Sequence, residues 1–410
     1  MKLRKFYKKS TSDILLSLVL FMLVSLAYFY PLLTNGKLWM TAVIVSLFWI
    51  IFYLISKGKI LVEKNKLMWF LSIMVLLIHS YSLKVGEYTY SFLWILFIFL
   101  LILQSGSNDI LINIVKILYI FTFIYAVSTI VANLGFSSII NNVALLFRTK
   151  IYQGTINTAG LTSHYSHNGM YISIGCLCSC AFLFLKNKKS FHDYFFVIFF
   201  FAALLFTQKR GPLLAVSLSI IFTCFLTQKE TIGRKLYRIM FLIIIVLLIV
   251  YTTYIVFPEI FAVFDRFSSD NILSNRQYLW QHAWNLFEEN SIIGFGWGYF
   301  SHSLSVMING IELSNQNAHN IYLQLLGETG IIGTILFLVP IVVTLIKSAG
   351  LMRRIQVGEN KVSIFFSVSV QFYFLIYGLT GNTLYDRQML IPYMISVLIY
   401  YANYNIQKLY

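Results

Sequence analysis

The chain has 410 residues, of which 59% are hydrophobic, 17% aromatic and only 11% charged, and its mean hydropathy is +0.77. Soluble domains carry about 25% charged residues, so this composition excludes a soluble globular protein and indicates a membrane protein. The net charge is +16, but the basic residues cluster in alternate loops, which is a signal for membrane orientation rather than for nucleic-acid binding.

The apolar segments predict about twelve membrane-spanning helices, because about 20 apolar residues are needed to cross a bilayer. In chain order the predicted spans are 13–31, 38–56, 67–84, 88–105, 110–134, 167–186, 192–208, 210–227, 236–257, 331–348, 362–382 and 386–404. We therefore predict an all-α polytopic membrane protein. The alternation of basic loops predicts that both termini lie in the cytoplasm. The predicted spans make membrane lipid an expected partner.

Two connections on the predicted outer side are long, and long connections are usually functional. They divide the chain into N-terminal membrane helices (1–134), central membrane helices with an outer loop (135–257), an extracytoplasmic loop with short amphipathic helices (258–330) and C-terminal membrane helices (331–410). We expect the function of the protein on the outer face.

The first candidate site is the short turn FTQKRGPLLA. Gly211 and Pro212 are typical of a helix start, so Arg210 lies beside a helix N-terminus. Free backbone N–H groups there favour an anion, and the guanidinium adds a permanent charge. The segment predicts a phosphate site; the alternative is an interfacial arginine that meets lipid head groups.

A second arginine begins the segment SNRQYLWQHAWNLFEENSIIGFGWGYF. Apolar residues recur at helical spacing from Tyr278, which predicts an amphipathic helix on the outer face with Arg276 at its start. Arg276 is either a second guanidinium for a charged substrate or an interfacial anchor. Aromatic residues such as Trp280 are available to stack on sugar rings.

The glycines of GFGWG alternate in a way that superficially resembles a dinucleotide-binding fingerprint. The final step of that fingerprint is missing and no strand precedes it, so we predict a tight turn that lets the backbone approach a neighbour. The cysteines of CLCSC point in different directions on a helix, and no nearby histidine completes a site. The sequence therefore predicts neither a metal site nor a cofactor.

The stretch NAHNIYLQLLGETG precedes an apolar span. Asn317 is a reasonable N-cap and Gly330 a helix stop, so the stretch predicts a short helix in which Asn320, Gln324 and Glu328 form one polar stripe. His319 falls on the opposite arc and faces the protein. Partial burial near a helix N-terminus favours a neutral imidazole that accepts a proton, although a packed core histidine has the same pattern.

These stretches together resemble the O-antigen ligase and Wzy-type polysaccharide polymerase family. Its pattern is an arginine, a tryptophan, a glycine-alternating turn, then His-Asn-x-Tyr-Leu and Glu-x-Gly-x-x-Gly. The upstream stretches TSHYSHNGMY and TQKRGPLLA are similar to family segments through Asn168 and Arg210. One departure is Lys209, which stands where the family more often has serine. The resemblance covers roughly residues 160 to 335 and each motif alone is weak.

The resemblance implies a metal-independent, GT-C-like membrane glycosyltransferase that inverts the anomeric carbon. The implied donor is an undecaprenyl-diphosphate-linked glycan and the implied acceptor is a sugar hydroxyl on the outer side of the cytoplasmic membrane. His319 would accept the hydroxyl proton while Arg276 and Arg210 bind the diphosphate. The candidate substrate-binding residues are Asn320, Tyr322, Asn168, Trp280, Glu328 and Lys209.

We consider three functions, of which the first two follow from this resemblance and the third belongs to a different class of protein. We favour a polymerase of lipid-linked oligosaccharide repeat units for O-antigen, capsule or exopolysaccharide, with a chain-length regulator as an implied partner. The alternative is a ligase that transfers glycan to lipid A core or to another acceptor. A lipid-linked sugar flippase is a third hypothesis, which the scarcity of polar residues within the spans disfavours.

Overall fold

The computed structural model describes most of the chain. The described residues are 11–29, 36–57, 66–82, 88–104, 108–146, 156–185, 189–227, 276–308, 311–314, 316–355 and 358–408, with isolated residues between 233 and 255. Helix is the dominant structure in all of the longer segments, and this confirms the predicted all-α class.

The helices follow the apolar segments of the sequence. They are α1 (Thr11–Phe29), α2 (Gly36–Lys57), α3 (Leu67–Ser82), α4 (Tyr88–Leu103), α5 (Asn108–Val131), α6 (Ser137–Leu146), α7 (Ile156–Ala159), α8 (Tyr165–Leu185), α9 (Phe191–Phe206), α10 (Arg210–Thr227), α11 (Arg276–Glu289), α12 (Tyr299–Ser303), α13 (Ile321–Arg354), α14 (Glu359–Tyr377) and α15 (Arg387–Lys408). A π-helical turn, Ala132–Phe136, joins α5 to α6.

Five of the described helical segments are long and apolar enough to cross a bilayer, and shorter apolar helices accompany them. Each predicted span except 236–257 corresponds to a described helix, and the largest difference is at 331–348, where α13 begins ten residues earlier and ends six residues later. That one span lies outside the continuously described residues. The chain is a polytopic membrane protein.

The two predicted loops contain structure of their own. Residues 135–166 include α6 and α7, and the described part of 258–330 includes the predicted amphipathic helix α11 and the short helix α12. A two-stranded antiparallel hairpin, β1 (Ser305–Ile308) and β2 (Ile311–Ser314), was not predicted, and it is a small departure from a purely helical fold. Residues 258–275 lie outside the described part of the chain.

The C-terminal helices form the centre of the bundle. Helix α14 packs against α8, α10, α13 and α15, and its residues Tyr373 and Phe374 are fully buried. Helix α2 lies at the periphery, where Phe48 and Phe52 expose more than half of their surface. Exposed aromatic residues on an apolar helix fit contact with lipid. The central position of α14 brings the loop that follows it against the candidate site.

Candidate functional site

Helix α13 is interrupted at Gly330, where φ is 59° and ψ is −170°. The N–H groups of Ile331 and Ile332 donate to the carbonyl oxygens of Ser291 and Ile292 at 2.9 and 3.2 Å. The carbonyl groups of the segment after α11 thus accept hydrogen bonds from backbone N–H groups that have lost their partners within the helix because of the break. The predicted helix stop at Gly330 is a break in the geometry, but the helix resumes and continues to Arg354.

The GFGWG segment is the predicted tight turn. Gly294, Gly296 and Gly298 have positive φ angles of 69°, 106° and 93°, which a glycine adopts at little cost. The N–H of Gly296 donates to the carbonyl oxygen of Glu328 at 2.7 Å. The turn therefore lies directly against the backbone of α13 just before its break.

Glu328 is fully buried and joins three segments of the chain. Its Oε1 accepts from the backbone N–H of Phe300 at 3.3 Å and from Nε2 of Gln324 at 3.0 Å. Its Oε2 accepts from the hydroxyl of Tyr385 at 2.6 Å. The sequence predicts that Glu328 lies on a polar stripe and binds substrate. In the fold it is buried, and its carboxylate accepts hydrogen bonds that hold the site together.

Asn320 is the N-cap of α13. Its Oδ1 accepts from the backbone N–H groups of Tyr322 and Leu323 at 3.1 and 3.2 Å, and the helix begins at Ile321. The prediction of Asn317 as the N-cap was wrong by three residues. Because Asn320 caps the helix, its side-chain oxygen is occupied by backbone donors rather than by substrate.

His319 precedes the helix instead of lying on its inner arc as predicted. Its backbone is left-handed, with φ at 53°, and its N–H donates to Oδ1 of Asn382 at 2.9 Å. Its Nδ1 lies 3.1 Å from Nδ2 of Asn382. Burial, together with electrostatic interactions with Arg276, Lys209 and His164, lowers the pKa of His319 to about 4. The imidazole is therefore neutral at physiological pH, as the sequence predicted.

Arg276 is the first residue of α11 and is half-buried. Its Nη1 donates to the carbonyl oxygen of Thr380 at 3.0 Å. Burial lowers the pKa of Arg276, and the neighbouring charge of Arg210 acts in the same direction. The contact with a backbone carbonyl fixes the guanidinium without neutralising its charge, which leaves that charge available for an anion.

Arg210 is the first residue of α10, so the predicted helix start is confirmed. The following residue, Gly211, lies so close to the loop after α14 that a Cβ there would be 3.0 Å from Oγ1 of Thr380. Nζ of Lys209 lies 4.0 Å above the ring of Tyr165. The residue that follows Arg210 therefore packs against Thr380, whose carbonyl oxygen accepts from Arg276, although Arg210 and Arg276 are 66 residues apart in the chain.

The loop 378–386, between α14 and α15, is the segment that unites these parts, and the sequence analysis missed it. Most of this loop falls within the predicted spans 362–382 and 386–404. The carbonyl oxygen of Gly378 accepts from the N–H of Ile321 at 2.9 Å, in addition to the contacts of Thr380, Asn382 and Tyr385 described above. The signal that identifies it is the polar, glycine-containing sequence GLTGNTLYD between two apolar runs.

Two predicted substrate-binding residues use their polar atoms for positioning. Nε1 of Trp280 donates to the carbonyl oxygen of Ala318 at 3.0 Å, directly before His319. The hydroxyl of Tyr322 donates to the carbonyl oxygen of Leu375 at 2.6 Å, which joins α13 to α14. These contacts hold the His319 segment in place from both sides.

Asn168 lies in the first turn of α8 and is fully buried. Its Nδ2 donates to Oγ1 of Thr129 and to the carbonyl oxygen of Thr158, both at 2.8 Å. The amide nitrogen of Asn168 thus joins α8 to α5 and α7. These contacts do not support the predicted contact with substrate.

A further cation, Arg387, begins α15 and was not among the predicted site residues. Its Cζ lies 5.1 Å from the centre of the Trp39 ring. The charge of Arg387 acts on His167, as does that of Lys209. The carboxyl of the preceding residue, Asp386, is buried, and burial raises its pKa to about 7. Positive charge therefore extends from Lys209 toward the start of α15.

The described part of the chain contains no group of three or more histidine, cysteine or acidic residues that could hold a metal ion. The cysteines of the CLCSC segment and Cys224 are free and buried. Among the described residues, the site places the guanidinium groups of Arg210 and Arg276 near a neutral imidazole.

Comparison with known proteins identifies one family. A family model described as O-antigen ligase matches residues 195–338, which include Arg210, Arg276 and His319 but not the loop 378–386. A search of curated proteins found no match. The match agrees with the resemblance found in the sequence motifs: residues 195–338 are similar to the O-antigen ligase family model.

Proposed function

We propose that this protein is a membrane glycosyltransferase that polymerises oligosaccharide repeat units carried on undecaprenyl diphosphate. The observation that carries the proposal is that Arg276 and His319 both bond to the loop 378–386, with Arg210 close enough for its charge to act on Arg276. These residues come from three separate elements of the region that is similar to the O-antigen ligase family model. A neutral imidazole beside two guanidinium groups is suited to transfer of a sugar from a diphosphate.

The arginines supply the binding site for the diphosphate of the donor. A guanidinium group is planar, stays charged and pairs with phosphate oxygens through two parallel hydrogen bonds. When the bond between the sugar and the phosphate breaks, negative charge grows on the leaving diphosphate. Contacts from Arg210 and Arg276 then strengthen in the transition state, which is the condition for catalysis. This pair makes the reaction independent of a divalent metal ion.

The acceptor hydroxyl attacks the anomeric carbon from the face opposite to the diphosphate, so the product has the inverted configuration. A neutral imidazole carries a proton on one nitrogen and a lone pair on the other. If the lone pair of His319 faces the hydroxyl, general-base assistance typically contributes about 10²- to 10⁴-fold. If the N–H faces the substrate, His319 acts as a hydrogen-bond donor instead.

The orientation in the membrane forms part of the same proposal. The alternation of basic loops places both termini in the cytoplasm and the site at the outer face of the cytoplasmic membrane. Lipid-linked repeat units are polymerised on that side in the enzymes that the sequence resembles. A regulator of chain length is the partner that this function implies.

A ligase is the second candidate, and the description of the matching family model favours it. A ligase would use the same donor site and differ in the acceptor, which would be lipid A core or another lipid or protein. The described residues of the donor site serve both reactions equally.

The test is synthesis of glycan in membranes that contain the wild-type protein and an undecaprenyl-diphosphate repeat unit, read as a ladder on a gel. We expect a ladder without any added acceptor, and its loss in His319→Ala. His282→Ala is the matched control, because His282 lies in α11 and bonds to Ser303 rather than to the site. Both variants must be present at wild-type levels.

A ladder that forms only after a separate lipid or protein acceptor is added assigns the protein as a ligase. Activity of His319→Ala equal to that of the wild type contradicts the proposed site. Absence of any product with either kind of acceptor contradicts the proposed glycosyl transfer itself.

A further inference from the structure

Asn382 holds His319 through two bonds to the same amide group. Its Oδ1 lies 2.9 Å from the backbone nitrogen of His319, and its Nδ2 lies 3.1 Å from Nδ1 of the imidazole. The backbone of Asn382 is itself fixed, because its carbonyl oxygen accepts from the N–H groups of Tyr385 and Asp386 at 2.8 and 2.9 Å. The amide therefore has a defined place in the loop 378–386.

The backbone bond determines which way the amide of Asn382 points. A backbone N–H is always a donor, so the atom that faces His319 N must be the amide oxygen. The NH₂ group, which only donates, then faces Nδ1 of the imidazole. In a neutral histidine one ring nitrogen accepts and the other carries the proton. Nδ1 is the acceptor here, and Nε2 carries the proton.

We propose that Asn382 is a positioning residue that sets the tautomer of His319, so that Nε2 presents an N–H group to the substrate. This inference rests on the proposed glycosyl transfer and deepens it. His319 is then a hydrogen-bond donor to an oxygen of the diphosphate rather than the base that the family resemblance implies. If Nε2 were a general base, Nδ1 would carry the ring proton and would need a hydrogen-bond acceptor as its partner. An amide NH₂ group is only a hydrogen-bond donor.

The surroundings of the ring keep this neutral tautomer in place. Arg276 on α11, Lys209 before α10 and His164 before α8 act on His319 and disfavour the imidazolium. Nδ1 of His164 accepts from the N–H of Ser166 at 3.1 Å, which fixes the position of this ring. Burial and Lys209 lower the pKa of His164.

The reaction balances without a protein base. The acceptor oxygen forms a bond to the anomeric carbon while the bond from that carbon to the diphosphate oxygen breaks. The leaving undecaprenyl diphosphate takes the electron pair, and the proton of the acceptor hydroxyl, which lies on the opposite face of the sugar, is released to water at the outer face. The Nε2–H of His319 and the two arginines stabilise the charge that develops on the diphosphate.

The test uses the near-isosteric substitution Asn382→Asp in the full-length protein. A carboxylate accepts from the backbone N–H of His319 and also from Nδ1–H, so both contacts persist while the ring proton moves to Nδ1 and Nε2 loses its hydrogen. A carboxylate also raises the pKa of the imidazole. Asn285→Asp is the matched control for added negative charge, since Asn285 is exposed on α11.

We expect the activity of Asn382→Asp to fall by about 100-fold at pH 8, the usual effect of removing one donor from a developing charge. Activity should recover as the pH is lowered, because the imidazolium regains Nε2–H. Asn285→Asp should retain wild-type activity. The opposite result overturns the inference: a variant that is fully active at pH 8 and loses activity as the pH is lowered would show that Nε2 acts as a base.

A second measurement does not depend on activity. Nitrogen-15 NMR of histidine-labelled wild-type protein in lipid nanodiscs distinguishes a protonated from an unprotonated ring nitrogen, and His319→Asn assigns the signal. We expect the proton on Nε2. A proton on Nδ1 overturns the inference even if the glycan ladder is normal, whereas failure of the ladder alone contradicts only the proposed function.

Discussion

The backbones of Gly294 and Gly330 lie directly against each other: a Cβ on Gly294 would be 2.6 Å from the backbone nitrogen of Gly330. The same Cβ would be 2.4 Å from the carbonyl oxygen of Glu328, and a Cβ on Gly330 would be 2.4 Å from the backbone of Ile292. The turn after α11 and the break in α13 thus form one closely packed unit. This unit sets the direction in which the first turns of α13, and hence His319, enter the site.

Gly294→Ala and Gly330→Ala should both destabilise the protein. Left-handed backbone costs a side chain about 1–2 kcal/mol, and forced overlap with backbone atoms adds roughly 1–3 kcal/mol. The measurement is thermal unfolding of purified protein in detergent. Gly350→Ala is the matched control on the same helix, because nothing lies within 4 Å of its added Cβ; a control as unstable as the two variants would contradict the close packing.

Substitutions at Glu328 should affect the stability of the protein more than its binding of the lipid-linked donor substrate. Glu328→Leu leaves the donors from Phe300, Gln324 and Tyr385 without their acceptor, at about 1–3 kcal/mol for each buried group. Glu328→Gln keeps one acceptor oxygen and should be milder, and Tyr385→Phe should be milder still. The yield of monodisperse protein and the unfolding temperature test this order. If Glu328→Leu were stable but bound the lipid-linked donor substrate more weakly, Glu328 would be a substrate-binding residue after all.

Arg276→Lys should retain the fold and lose activity. Lysine keeps the charge, but it lacks the fork that bonds to Thr380 and phosphate at the same time. Loss of one charge-assisted hydrogen bond costs about 1.5–3 kcal/mol, or roughly 10- to 150-fold in kcat/KM. Arg353→Lys is the control, since Arg353 also donates to a backbone carbonyl, that of Leu226, in a contact away from the site. Equal losses in both variants would assign the effect of Arg276→Lys to packing.

The contribution of His319 to the stability of the protein should decrease as the pH is lowered from about 6.5 to about 4. The pKa of His319 is about 4 in the fold, against 6.5 ordinarily. Between these values the unfolded chain binds more protons, so folding becomes less favourable as the pH falls, by up to about 3 kcal/mol for this group. Above pH 6.5 the histidine is neutral in both states and contributes no pH dependence.

His319→Asn should remove this part of the pH dependence. Asparagine tolerates left-handed backbone better than most residues, so the variant preserves the turn before α13. The measurement compares unfolding of the two proteins at pH 7 and pH 5. Identical pH dependence in both proteins would mean that the imidazole titrates normally in the fold.

The spans were predictable because they depend on local composition. Apolar runs long enough to cross a bilayer must form helices there, since backbone groups in hydrocarbon have no other partners. The start of α10 at Arg210 and of α11 at Arg276 was also predictable, because Pro212 and the helical spacing of apolar residues are local signals.

The entry to α13 was predicted wrongly because its cap depends on a distant contact. Asn317 and Asn320 are both suitable caps by sequence. The bond from Ile321 to Gly378 and the bond from His319 to Asn382 select Asn320, and both partners lie in the loop 378–386. A shift of three residues moves His319 out of the helix altogether.

The sequence by itself determined the membrane class, the resemblance of the central region to the O-antigen ligase family and the identity of the charged residues, because these follow from composition and from motifs within single segments. Only the tertiary structure decided which of those residues meet. The loop 378–386 bonds to Arg276 through the carbonyl of Thr380 and to His319 through the amide of Asn382, and Gly211, the residue after Arg210, packs against the same loop. Contacts of this kind join segments that are far apart in the chain, so no local pattern records them.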